Sequence, residues 1–540
     1  MTRAPLHLGW LACGLVACSE APVEGPFEAP LVLQAAAFEG SEPPAQEIID
    51  VKAGGLALFD WQGDGDWDLF VPGMGTTQSE PSPSALFENR EGGLTDASDD
   101  AELNLAVWGQ GVAVGDLDGD GLDDLVVACL EEDVVLRQGS DHRLAADGAA
   151  LATGSRWTSA AALGDLDRDG DLDLALVGYV DFDPAAPPPA TEFLGLRVFG
   201  GPAGMTPLHD RLFENDGEGN FSQRTPPELR AAPRPGLGAA ILDVNLDGAQ
   251  DLWIGNDSEP NQLWVPVADW RFFDTAPRTG LATNQDGSGQ ATMGLALADL
   301  NGDAAPDLFT TNFARDTNTL QLSDPSGLHR DLTRPGGLAA SSRPFCGWGT
   351  AFGDYDLDGD LDLIALNGHV YPQGVLRPLG ESRAQGGLLY LQGDSAGPFP
   401  RFDLTDSPLE AERIGRGLIQ ADLDADGDLD LITRSLDRGV ELWRGRAVDT
   451  GTQRLIEVRL RQPGPNPTAV GARVECFLGD ERLGTQWLTS SGSYQAGLPG
   501  AVWFSVPRDA RDLDLRTTWP DGETSRQARA AEGLVTIERH

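Results

Sequence analysis

Basic residues are scarce in this chain: 38 arginines and lysines stand against 85 aspartates and glutamates, for a formal net charge of −47. That balance favours solubility and opposes bulk attraction to nucleic acid or an anionic membrane surface. Lys52 is the one lysine; with the high Ala, Gly and Pro content this reads as coding bias. Cysteine is sparse, at five in 540 residues. Cys13 lies in an apolar leader and Cys18 directly behind it. Cys129, Cys346 and Cys476 remain, an odd number that cannot all pair internally. Buried free thiols are expected, and disulfides are excluded as the stabilising device. Beyond the leader no run is long and apolar enough to span a bilayer. Catalytic signatures are scarce as well: the chain has no HExxH, GxxxxGK[ST] or CxxC. GQG (109–111) and GWG (347–349) lack the third glycine of a dinucleotide fingerprint and read as close strand packing. His142, His209, His329 and His369 are scattered. His369, inside NGHVYP (367–372), is the best functional candidate, against a satisfied structural histidine.

Acid, by contrast, is concentrated in a motif written seven times. The loops begin at Asp60, Asp116, Asp165, Asp243, Asp299, Asp354 and Asp422. The fullest copies are DLDRDGDLD (165–173), DYDLDGDLD (354–362) and DLDADGDLD (422–430). Oxygen ligands at positions 1, 3, 5 and 9, with Gly at 6 for a sharp turn, describe a cage for a hard cation. Calcium takes six to eight oxygens in flexible geometry. The expected metal ligands are Asp60, Gln62, Asp64 and Asp68 in loop one and Asp116, Asp118, Asp120 and Asp124 in loop two. Loop three offers Asp165, Asp167, Asp169 and Asp173, and loop four Asp243, Asn245, Asp247 and Asp251. Loop five offers Asp299, Asn301, Asp303 and Asp307, loop six Asp354, Asp356, Asp358 and Asp362, and loop seven Asp422, Asp424, Asp426 and Asp430. Up to seven Ca2+ ions are expected. Gln62 departs from the pattern, and Ala304 and Pro306 replace the flexible positions of loop five. Loop five is therefore expected to bind most weakly. Paired carboxylates all fall within these loops, so no glycosidase-like dyad stands out.

An EF-hand begins in the same way but needs a Glu at position 12 and flanking helices. Position 12 here is Val71, Val127, Leu176, Ile254, Thr310, Ala365 or Thr433. The flanking runs, such as GLALF before and LFV after loop one, are short and rich in Val, Ile, Leu, Phe, Gly and Ala. That predicts buried strands, with each loop joining an antiparallel pair. Loop starts lie 49 to 78 residues apart, room for four short strands per repeat. The chain is predicted to be all-β: a seven-bladed β-propeller with calcium-binding hairpin loops, followed by a small C-terminal β-rich domain. An open β-solenoid is the alternative. The segment 38–51 is expected to supply the outer strand of the last blade and close the ring, removing open sheet edges. Trp108, Trp157, Trp253, Trp264, Trp348 and Trp443 are expected in the core, with stacking on sugar or peptide as the alternative.

The repeat resembles the FG-GAP/VCBS repeat of integrin α-type propellers. LFENDGEGNFSQRT (212–225) is similar to its outer strands, and NGHVYP is similar to a segment of the cartilage acidic protein group. The tail resembles an ASPIC/UnbV domain in its GARV run (471–474), its Gly492/Tyr494 turn and its WPDG motif (519–522). Residues 1–17 read as an export signal, and LVAC (15–18) resembles a bacterial lipobox that would place a lipid on Cys18. An ordinary signal peptide with an incidental cysteine is the alternative. Ser19 after the cysteine resembles outer-membrane sorting in Gram-negative bacteria. The expected organisation is a lipoprotein signal at 1–17, a Pro-, Ala- and Glu-rich tether at 18–44, a propeller at 45–449 and an ASPIC/UnbV-like domain at 450–540. The expected function is a lipid-anchored cell-envelope module binding a protein or glycan, touching membrane only through Cys18. An enzyme acting on envelope polymer and a passive scaffold are the alternatives.

Overall fold

The computed structural model describes residues 26–28, 30–34, 47–75, 80–148, 151, 157–393, 400–447, 451–530 and 532–539. The export signal and Cys18 lie outside them. Seven four-stranded antiparallel sheets account for most of the strands among the described residues. Sheet one is Leu56–Phe59, Asp68–Val71, Ala85–Arg90 and Gly93–Asp96. Sheet two is Trp108–Gly115, Asp124–Leu130, Val134–Gln138 and Leu144–Asp147. Sheet three is Thr158–Gly164, Asp173–Gly178, Arg211–Glu214 and Ser222–Gln223, and sheet four is Gly236–Leu242, Asp251–Asn256, Gln262–Ala268 and Arg271–Asp274. Sheet five is Leu295–Ala298, Asp307–Thr310, Thr319–Ser323 and His329–Asp331, and sheet six is Gly347–Gly353, Asp362–Asn367, Leu388–Gly393 and Arg401–Thr405. Sheet seven takes Gly415–Ala421, Asp430–Ser435 and Gly439–Trp443 from its own repeat.

Each acidic loop joins the first two strands of its sheet and fixes their register. In all seven, the ninth loop residue pairs with the residue just before the first aspartate, as in Gly164 with Asp173 and Gly353 with Asp362. The first strands lie innermost and are buried on both faces, which is why their sequences are apolar without alternation. Small residues there are a steric demand. A Cβ on Gly417 would lie 2.0 Å from the Gly54 carbonyl oxygen. The result is a β-propeller. Sheet seven is closed by Leu31–Gln34, which pairs antiparallel with Gly439–Trp443. The closing strand thus lies upstream of the 38–51 segment, within the stretch expected to be tether. Ile48–Val51 forms instead a buried 3-10 turn at one end of the axis.

The tail builds two sheets, one of Ala501–Pro507, Gln453–Arg461 and Leu534–Glu538, the other of Glu481–Trp487, Arg473–Leu478, Asp512–Thr518 and Thr524–Ala530. They enclose a core that includes Val458, Cys476, Phe504, Leu515, Trp519 and Ile537. From this domain a hairpin, Ser491–Gly492 with Ala496–Gly497, runs into the propeller axis. Ala496 pairs in parallel with Leu56 of sheet one. The Val112 N–H of sheet two donates to the Gln495 carbonyl (3.3 Å). Ser490 Oγ accepts from the Leu163 N–H of sheet three (2.7 Å), and Ser491 Oγ donates to the Ala239 carbonyl of sheet four (3.2 Å). Ser493 exchanges backbone bonds with Leu295 of sheet five, and its Oγ accepts from the Thr350 N–H of sheet six (3.0 Å). The hairpin also lies against the first strand of sheet seven. One turn of small polar residues therefore contacts every inner strand. At its tip, Tyr494 donates to the Lys52 carbonyl (2.8 Å), just beyond the 3-10 turn that fills the axis from the other end.

Candidate metal centres

The loops share one backbone design. The first aspartate accepts two N–H bonds from its own turn. In loop three Asp165 accepts from Arg168 and Gly170, and in loop six Asp354 accepts from Asp358 and Gly359. The glycine at position 6 is left-handed, with φ of 98° at Gly170 and 108° at Gly359. In loop five Ala304 adopts the same conformation, φ 66°, so the turn forms there at the steric cost of a Cβ. The ninth residue clasps the sheet. Asp173 accepts the Leu166 N–H of its loop (2.9 Å) and the Asn215 N–H of the third strand (3.1 Å). Asp68, Asp124, Asp307, Asp362 and Asp430 do likewise. In sheet four the third-strand donor position is Pro266, which has no N–H. Asp251 Oδ1 is accordingly buried without a donor.

Four loops bring three carboxylates together, with one oxygen from each within 4.8 Å of the others. The sets are Asp116, Asp118 and Asp120; Asp165, Asp167 and Asp173; Asp354, Asp356 and Asp362; and Asp422, Asp424 and Asp426. Two oxygens on one calcium lie at most about 5 Å apart, so these spacings fit a shared ion. Among the described residues no such carboxylate set occurs in loops one, four or five. There position 3 is Gln62, Asn245 or Asn301. Burial, reinforced by neighbouring carboxylates, pushes Asp173 up to about 9 and Asp362 and Asp422 up to about 8. Burial likewise raises Asp68, Asp307 and Asp354 to about 7. Such crowding of carboxylates out of water disfavours their charged forms unless a cation sits among them. In loop six the Asp356 Oδ1 atom is buried with no hydrogen-bond partner. The carboxylate that carries this orphan acceptor places an oxygen within 4.8 Å of oxygens of Asp354 and Asp362, a setting that suits an ion.

The other sequence candidates are packed away. His369 is fully buried; its Nδ1 accepts the Tyr371 N–H (3.1 Å), its Nε2 faces Glu381 at 3.7 Å, and burial pulls it down to about 3. Trp157, Trp253, Trp348 and Trp443 are core residues. Cys129, Cys346 and Cys476 are buried free thiols. What sequence reasoning missed is the tail's placement on the loop face. Arg459, Arg473, Arg482 and Thr485 reach loops one and five. Regular basic positions in a β domain carry no mark of such a role.

The FG-GAP-like repeat model matches residues 60–127, from the first aspartate of loop one to the strand after loop two, and the model described as ASPIC and UnbV matches residues 462–538. Those two stretches of the chain thus carry FG-GAP-like and ASPIC/UnbV-like sequence. Cartilage acidic protein 1 of Mus musculus is 24% identical over 307 residues, and that of Homo sapiens 24% identical over 309; each alignment covers 56% of this chain and 44% of the relative. The chain thus matches less than half the length of these relatives. Among solved structures, an Agrocybe aegerita lectin that recognises non-reducing terminal N-acetylglucosamine is 14% identical with a TM-score of 0.37, covering 70% of this chain and 88% of the lectin. The six-bladed Aleuria aurantia fucose lectin is 9% identical with a TM-score of 0.33, covering 67% and 97%. In the structure, the ASPIC/UnbV-like tail both covers the loop face of the propeller and plugs its axis.

Proposed function

We propose that this protein is a calcium-stiffened propeller, held at the bacterial outer membrane by a lipid on Cys18, that binds a protein or glycan. The observation that supports calcium most directly is loop six: three converging carboxylates, one of which carries a buried, unpartnered oxygen. A bound ion supplies charge neutralisation there and nothing redox. The tail lies on the loop face, which leaves the opposite face for a partner. Two insertions meet on that face. The hairpin Thr191–Phe193 and Leu196–Val198 of sheet three packs on the short helix Gln373–Leu376 of sheet six through Phe193 and Tyr371, 5.0 Å between ring centroids. Leu194 at the hairpin turn is 55% exposed. Loops on a rigid scaffold are the usual carriers of recognition.

A glycan array and a pull-down from envelope extracts test this reading, with intact protein in calcium compared with a variant whose 192–197 turn is replaced by Gly-Ser. Binding lost in the variant supports recognition by this face; equal binding, or none by either protein, contradicts it. Mass spectrometry of Cys18 peptides decides the anchor: an acylated N-terminal cysteine is expected, and a free one would refute it.

A further inference from the structure

We infer that loops one and five take no metal ion, because a guanidinium of the tail supplies the positive charge that an ion supplies in the other loops. This rests on the calcium reading of those other loops. Loop five shows it most fully. Asp299 Oδ2, which accepts the Ala304 N–H (2.9 Å), also accepts the Thr485 hydroxyl from the tail (2.8 Å). Arg482 Nη1 donates to the Gly302 carbonyl (2.8 Å) and lies 3.9 Å from the same Asp299 oxygen. Oxygens that would face a cation are instead occupied by donors. In loop one Arg459 Nη2 donates to the Gly65 carbonyl (2.6 Å), and Nη1 lies 4.0 Å from Asp60 Oδ2. Its guanidinium is held over the Trp67 ring at 4.1 Å, in a position only 8% exposed. Gln62, at position 3, is hydrogen-bonded to Glu88. A divalent ion on Asp60 or Asp299 would sit in contact with a fixed, poorly hydrated positive charge.

The contrast with the other loops is specific. Among the described residues no guanidinium lies within 4 Å of Asp165 or Asp354, the first aspartates of loops three and six. In loops two and seven Arg137 and Arg444 bond the ninth aspartates, Asp124 (2.7 Å) and Asp430 (2.5 Å). Arg444 also lies 3.5 Å from Asp424, yet the sets at positions 1, 3 and 5 of both loops still converge, and the first aspartates Asp116 and Asp422 are left to them. Arg473 also reaches loop five, where its Nη1 lies 3.5 Å from the Ala304 carbonyl. Of the three loops without an acid at position 3, loops one and five have a tail arginine within 4.0 Å of the first aspartate. Ions and tail arginines thus divide one face between them, and the tail is held there at two fixed points whether or not calcium is present.

Crystals of the intact protein grown in calcium, measured at long wavelength, give the direct readout. Anomalous peaks are expected in loops three and six and none in loops one and five. The variants Arg459→Gln and Arg482→Gln/Thr485→Ala should each gain one peak at the loop they release. Peaks of equal height in all seven wild-type loops would overturn the inference while leaving calcium in place. No peak in any loop would remove both. If a variant fails to fold, the wild-type maps still decide.

Discussion

The ninth aspartate of each loop has two separable roles, and single substitutions distinguish them. Asp173 satisfies two buried N–H groups as well as facing Asp165 and Asp167. Asp173→Ala should destabilise the protein by about 2–4 kcal/mol even in chelator, since each stranded N–H costs about 1–3 kcal/mol. Asp169, at the exposed fifth position, bonds only within its turn. Asp169→Ala should matter in calcium and shift chelated stability by less than about 0.5 kcal/mol. Denaturant unfolding in both conditions checks the pair, and equal losses for the two variants would count against the clasp. The raised carboxylates also fix a pH dependence for the metal-free protein. Asp173 at about 9, and Asp362 and Asp422 at about 8, lie far above an unfolded aspartate near 4. The folded state binds more protons across that interval, so chelated stability should fall as pH rises from about 4 to about 9 and then level off. Excess calcium should flatten or reverse the slope. A chelated melting temperature that climbs over this range would refute the charge crowding.

Among the elements, the loop hairpins were fully legible in the sequence, because seven copies of one spacing carry their own register. Two elements were not. Leu31–Gln34 reads LVLQ, four residues without a motif inside a Pro-rich stretch, and nothing local marks it as the strand that closes sheet seven. Its only specification is the unpaired edge of Gly439–Trp443, some 400 residues away. The axial hairpin was visible only as a family-like Gly492/Tyr494 turn. Its residues are small and polar, and its partners are backbone groups and inner-strand residues of seven distant sheets, which leave no pattern in either sequence. Tyr494→Phe tests the plug. It leaves the buried Lys52 carbonyl without that donor and should cost about 1–3 kcal/mol. Unchanged unfolding of this variant would show that the two fillers of the axis do not depend on one another.

At the scale of the molecule, the ring is closed three times: by the first strand on sheet seven, by the hairpin that touches all seven inner strands, and by the tail on the loop face. The element common to the loops is neutralisation of acid. Loops three and six present carboxylates with no guanidinium near their first aspartate, while loops one and five meet arginine. That division explains how a chain of net charge −47 holds its acids so close together. It also places the cation requirement in the sheets themselves, not in the tail contact. Ligand bound only by the folded state stabilises it by about 2.7 kcal/mol per site at a hundredfold excess over Kd. Differential scanning calorimetry of the intact protein in calcium and in excess chelator is the most direct measurement. A melting temperature several degrees lower in chelator, restored by added calcium, is predicted; superimposable transitions would contradict calcium as the ion that holds the loops.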